Sequence, residues 1–181
     1  MTLKFNFNEK KALAALGFVA SNRPGLSPFF LSKVLFYAEK AHVNQYGRPI
    51  IGDNYVKMRD GPVPSNIKNY IDEKWERVHK PEHFDDVLRV KRGWVRRLYV
   101  GQSYADMDLL SESDKNCLRE ALAFCEGKTK DELSDLTHLE KAWLAAPDNR
   151  YMDYLDFVDE NHPHRDEVIQ LMKENALCAM L

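Results

Sequence analysis

The sequence predicts a mainly helical α+β domain of six to seven helices, with a short strand after the second helix and a small β-hairpin at about 87–100. Three observations carry this. Apolar residues recur at spacings of three and four over most of the chain; capping and breaking residues bracket those stretches; and strand-like segments bounded by turn residues occur only near 55–58 and 87–100. With 181 residues, one domain over 1–181 is expected. Apolar residues make up 44% and charged residues 30%, a balance that supports a packed core and excludes disorder. No stretch approaches the roughly 18 apolar residues that span a membrane, so no membrane partner is expected. The start, MTLKFNFNEKK, lacks a signal-peptide core, which predicts a cytoplasmic protein.

Asn8 caps a first predicted helix over Glu9–Ala20, with Phe5 and Phe7 extended before it. Ser27 followed by Pro28 starts a second helix that runs to about Gln45. Its apolar stripe, Phe30 or Leu31, Val34, Leu35, Ala38, Ala41 and His42, marks it as the central helix. The chain leaves it at Tyr46-Gly47-Arg48-Pro49, passes Gly52-Asp53 and enters a strand at Tyr55–Met58. Asp60-Gly61-Pro62-Val63-Pro64-Ser65 reads as a rigid turn into a third helix, capped by Ser65 or opened by Pro64, with Ile67, Tyr70, Ile71 and Trp75 on its apolar face. His79–Asp86 is a polar connection. Val87–Lys91 and Trp94–Val100 flank Arg92-Gly93 as a hairpin, Leu88 and Val90 sharing a face with Leu98 and Val100. Ser111 and Thr129, the latter with Glu132 three residues on, cap two further helices. The helix after Thr129 carries Leu133, Leu136, Leu139 and Trp143, with a break at Ser134–Thr137 as an alternative. Tyr151–Asp159 and His164–Leu177 read as a last helical pair.

Charge is unevenly placed. Residues 1–100 hold 18 Lys/Arg against 10 Asp/Glu (+8), and residues 101–181 hold 8 against 18 (−10). Either the halves neutralise each other or the basic half meets nucleic acid or an acidic partner. The basic hairpin concentrates this signal: Arg89, Lys91, Arg92, Arg96 and Arg97 surround Trp94 and Tyr99. Such a mix suits nucleic acid, a protein partner, or plain solvated charge that guards a strand edge.

Catalytic equipment is missing. There is no phosphate-binding glycine loop, no GxSxG and no HExxH. His162-Pro163-His164 is too bent and local for a metal site, Pro81 interrupts His79 and His83, and His42 on an apolar stripe reads as a hydrogen-bonded core residue. Nothing orients a Cys125–His138 thiol dyad. Cys117 and Cys125, eight apart on one helix face, read as buried small hydrophobes, and the three cysteines show no CxxC spacing. The expectation is a non-enzyme with no catalytic residue, cofactor or metal. Tyr37, Tyr55 and Arg59 near the central turn, with Trp94, Arg96 and Arg97 on the hairpin, are the side chains suited to protein contact.

The run Lys33–Ala38, then Tyr46-Gly47-Arg48-Pro49-Ile50-Ile51-Gly52-Asp53, then Gly61-Pro62-Val63-Pro64 resembles the Panacea domain of SocA-like antitoxins. Leu110-Ser111, Leu136-Thr137-His138 and Trp143 extend the likeness over about residues 8–147, leaving 148–181 as a C-terminal helical extension. The resemblance implies an antitoxin, encoded beside a toxin, that neutralises it by direct contact. It also implies service as an adaptor that hands the toxin to a protease or chaperone system. Within the motif, Tyr46, Gly47, Pro49, Gly52, Asp53, Gly61, Pro62, Val63, His138 and Trp143 are read as building the platform. The alternative is a regulator that binds nucleic acid through residues 89–99.

Overall fold

The computed structural model describes residues 3–101 and 105–178. Helices α1 (Glu9–Asn22) and α2 (Pro28–Tyr46) are followed by strands β1 (Tyr55–Met58) and β2 (Gly61–Pro64) and helix α3 (Ser65–Ile71). A single helical turn α4 (Phe84–Val87) leads into strands β3 (Leu88–Lys91) and β4 (Arg97–Val100). Then come α5 (Glu112–Cys125), α6 (Lys130–His138), α7 (Lys141–Ala145) and α8 (Arg165–Cys178). The mainly helical α+β class is as the sequence predicts.

The predicted caps are in place. Asn8 and Ser27 accept backbone N–H groups at the starts of α1 and α2, and Ser111 and Thr129 form capping boxes with Asp114 and Glu132. The basic hairpin pairs Leu88 with Val100 and Val90 with Leu98, the expected register, although β4 begins at Arg97 and residues 92–96 form its loop.

Four expectations are corrected. Residues 61–64 form a strand, not a turn: Gly61–Pro64 pairs antiparallel with Tyr55–Met58 across the bend at Arg59-Asp60. Two prolines argue against a strand, but β2 is an edge strand, where a missing N–H costs least. Neither Ser65 nor a first-turn proline caps α3. Asp53 does, its carboxylate accepting from Asn66 N at 3.0 Å and Ile67 N at 2.9 Å. The 79–86 connection contains α4, and Phe84 is buried there against Tyr70 and Trp75. Tyr151–Asp159 is no helix but an extended stretch with one 3₁₀ turn at Tyr154–Phe157.

Two apolar cores share α2. The larger joins α1, α3, α5 and the basic hairpin, with Leu16, Leu31, Leu35, Ile71, Leu98 and Leu118 at its centre. The second gathers Phe36 and Val43 from α2 with Tyr55, Ala142, Tyr154, Phe157 and Met172. Burial on both sides is why α2 is far more enclosed than its predicted stripe: Lys33, Phe36, Glu39, Val43 and Asn44 are buried as well. Described residues after 147 pack against the elements before them. The backbone at 149–152 runs along β1, with Lys57 N donating to Arg150 O at 3.0 Å and Met152 N to Tyr55 O at 2.8 Å. Asn175 on α8 donates to Gly47 O at 2.9 Å, where the left-handed Gly47 ends α2 beneath Leu171.

Gly61 is the tightest point of the β1–β2 hairpin. Its φ is +104°, and a Cβ there would land on Thr137 Oγ1 and 2.5 Å from Lys33 Nζ. Gly61→Ala therefore combines a left-handed backbone cost with overpacking. We expect a loss of roughly 3 kcal/mol, read by urea denaturation, where a loss under about 1 kcal/mol would refute this account.

Candidate partner-binding site

The site is built on α2. A carboxylate buried among apolar side chains is tolerated only when hydrogen bonds replace water, and Glu39 meets this with three backbone donors. Ile50 N, Ile51 N and Gly52 N reach it at 2.6, 3.0 and 3.2 Å, fixing the segment that leads into β1. Burial still outweighs those bonds and pushes the Glu39 carboxyl up to about 7. Asp53 likewise is pushed up by burial to about 6, against the N–H groups of Ile67 and Asn66.

Lys33 lies on the next two turns toward the start of α2 and is fully buried. Its ammonium donates to Pro62 O at 3.4 Å and sits over the Phe29 ring at 4.7 Å. Burial drives it down to about 7, with Asp60 pulling it back only in part.

The β1–β2 hairpin is clamped from the other side by α6 and α7. Trp143 Nε1 donates to Met58 O at 3.1 Å, His138 Nε2 bonds Arg59 O at 3.0 Å, and the two rings stack at 4.0 Å. Because a carbonyl only accepts, His138 Nε2 carries the proton. Lys57 Nζ lies 4.2 Å from the Trp143 ring centre. These residues hold the platform.

Between the start of α2, the hairpin and α3 lies a cleft of about 480 Å³ with an apolar floor that includes Phe29, Met58, Val63, Ile67 and Ile71. Arg59 stands at its lip with its side chain almost fully exposed. Asp72, at the far lip, accepts from Arg96 Nη1 at 3.1 Å. The basic loop is thereby tied to the cleft's lining through Asp72. Trp94 projects fully into solvent from that loop, with Val95 half exposed.

The other predicted contact residues fare differently. Tyr55 is only 1% exposed, so it is a core residue and not a contact: its ring packs on Phe36 and Phe157. Tyr37 is half-buried against Phe124, ring centres 4.7 Å apart, and burial raises its phenol well above the ordinary value. Arg97 donates to Gly25 O at 3.1 Å, beside the α1–α2 connection. Arg92 pairs with Glu73, so much of the hairpin's charge is met within the molecule. Tyr46 is half exposed, its ring against His42. Pro49 lies in the exit from α2 that Glu39 holds. The sequence reading missed Lys33, Glu39 and the cleft. A signal was present: Lys33 and Glu39 are charged positions next to the apolar stripe of the helix read as central.

The remaining polar groups support structure. His42 is buried, Nδ1 on Arg48 O at 2.8 Å and Nε2 3.1 Å from both Ser113 Oγ and Asp114 Oδ1. Its Nδ1 is taken by Arg48 O while Nε2 faces Ser113 Oγ and the Asp114 carboxylate together, so the ring is a buried link between α2 and the start of α5. Burial disfavours the Asp114 carboxylate, but bonds from His42, Lys11 and Ser111 prevail and hold it well below its usual range. Burial raises the Cys117 and Cys125 thiols to about 11, the opposite of an activated nucleophile, and among the described residues no hydrogen bond joins Cys125 to His138. Among the described residues no group of three or more His, Cys, Asp or Glu is placed to hold a metal, and no helix is long and apolar enough to cross a membrane.

A family profile described as "Antitoxin SocA-like, Panacea domain" matches residues 31–144, from the first turn of α2 to α7. The chain belongs to the SocA-like Panacea family. No curated protein and no solved structure matches it. Family membership supports an antitoxin role in general and suggests a non-catalytic one. In this Panacea domain the matched stretch contains the hairpin, its clamp and most of the cleft's lining, whereas α1, α8 and the lining residues Pro28 and Phe29 lie outside it.

The buried ionisable groups give the Panacea fold a definite pH signature. Glu39 has a folded value raised above the ordinary 4.5, so its contribution is full below that value and is lost as pH rises toward about 7. Lys33 has a folded value lowered from 10.5, so stability rises between about 7 and 10.5 as the unfolded chain, still protonated, loses its advantage. Denaturation midpoints of Lys33→Met should exceed wild type at pH 7 and lose the rise toward pH 10. Comparing Glu39→Gln with wild type should show the decline between pH 4.5 and 7 flattened. Parallel profiles for variant and wild type would contradict either assignment.

Proposed function

We propose that this protein is the antitoxin of a toxin–antitoxin pair and neutralises its toxin by direct protein contact, through the cleft and the loop beside it. The observation that carries the reading is an apolar cleft with the exposed Arg59 at its lip, to whose Asp72 the loop of Arg96 and the exposed Trp94 is tied. Aromatic and arginine side chains next to a pocket are the usual energetic centre of a protein interface. Neutralisation needs no chemistry from the antitoxin. Covering the toxin's active surface, or binding only an inactive state of it, suffices, and an interface of about 800 Å² per partner is ample. Delivery of the bound toxin to a protease or chaperone system would use the same contact. Arg92 and Arg97 of the basic hairpin are engaged with Glu73 and Gly25 O, which leaves less free charge for a nucleic-acid backbone.

Co-expression with the adjacent reading frame should rescue growth and yield a co-purifying complex. Trp94→Ala combined with Arg96→Glu should weaken the complex about a hundredfold with the circular dichroism spectrum unchanged. Failure of both neighbouring frames to give rescue or complex would refute the antitoxin reading. Salt-sensitive binding of duplex DNA or RNA, lost on Arg96→Glu with Arg97→Glu, would favour the regulator instead.

A further inference from the structure

The cleft has an electrostatic imbalance that specifies what it takes. Around its mouth, Asp60 is shared by Arg59 and Lys130, and Asp72 by Lys68, Lys74 and Arg96. Five cations thus meet two carboxylates before the wall is counted. In the wall stands Lys33, with no ion pair among the described residues and a single long hydrogen bond, to Pro62 O at 3.4 Å. Buried cations are ordinarily paired. The field in the cleft is therefore positive over an apolar floor of Phe29, Met58, Ile67 and Ile71.

We propose that the cleft seats a segment of the toxin that carries a carboxylate beside an apolar side chain. The apolar side chain fills the depression, and the carboxylate sits at its mouth against Arg59 and Lys68, within the field of Lys33. This rests on the direct-contact reading above and names the chemistry of the contact. It also implies proton uptake on binding. Lys33 is faced by Asp60 across the turn, Lys130 from α6 and Cys125 from α5. A further anion at the mouth favours its charged form.

Two small probes isolate the recognition from the toxin. By methyl NMR, 4-phenylbutyrate should shift Met58, Ile67 and Ile71 and bind about tenfold tighter than 4-phenylbutanamide, the size of one charge-assisted hydrogen bond. Arg59→Ala with Lys68→Ala should erase that preference, and calorimetry in two buffers should show proton uptake at pH 7.5 that Lys33→Met abolishes. Equal binding of the two probes, shifts confined to other methyls, or no binding of either at millimolar concentration overturns the proposal.

In cells, Met58→Arg should fill the cleft and abolish neutralisation of the co-expressed toxin while melting as wild type. If its melting falls, Arg59→Glu with Lys68→Glu is read in its place. Full neutralisation by a folded variant overturns the cleft assignment and leaves the antitoxin reading standing. Failure of the wild-type chain to neutralise removes the antitoxin reading, while the probe preference still judges the cleft.

Discussion

Everything in this domain depends on α2 being packed between two cores along most of its length. A helix with a core on each flank cannot turn its polar residues to water, so each must be met by another part of the chain. Glu39 gathers the N–H groups of residues 50–52, His42 holds Arg48 O and Ser113, and Asn44 donates to Phe157 O and accepts from Asp159 N. Lys40, nearer the surface, pairs with Glu140 and Asp159. The same side chains that burial penalises thus become the fixtures that position every surrounding loop. Lys33 is the exception, a buried cation with little to hold, and it stands in the wall of the cleft.

The β1–β2 hairpin gains its definition from that arrangement. Four residues a strand is too little for an independent sheet. Here the hairpin is held by the Glu39-bound segment before it, Asp53 at the head of α3, the 149–152 backbone along its edge and the His138–Trp143 stack over its turn. The family signature, scattered over more than a hundred residues, is largely a description of this one small object and its supports. That explains why its glycines and prolines sit where they do, and why Tyr55, a residue type suited to interfaces, is spent inside.

Much of the fold was legible because it was written locally. Ser27-Pro28, Ser111 with Asp114 and Thr129 with Glu132 mark helix starts through bonds within one turn, and the period-two pattern of Leu88, Val90, Leu98 and Val100 set the register of the basic hairpin. What escaped was non-local. Asp53 caps a helix from outside its own turn, so the local choice between Ser65 and Pro64 was the wrong question. β2 was hidden by prolines that only an edge position permits. Of the predicted contact residues, Arg59 stands at the cleft's lip and Arg96 is bonded to its Asp72, but the cleft exists only once α2, the hairpin and α3 are packed together. No spacing rule could have reported it.

The extended start of the chain makes a last point about assembly. Leu3 N donates to Asp153 at 3.0 Å, Phe5 lies edge-on to Tyr154 at 5.1 Å, and Asn8 N reaches Ile51 O. Leu3 is thus fastened by a residue 150 positions further along the chain. Contacts so far apart in sequence slow folding, and the second core cannot close on the ribosome before Tyr154 and Met172 have emerged. One flank of α2 therefore stays uncovered until those residues have been made.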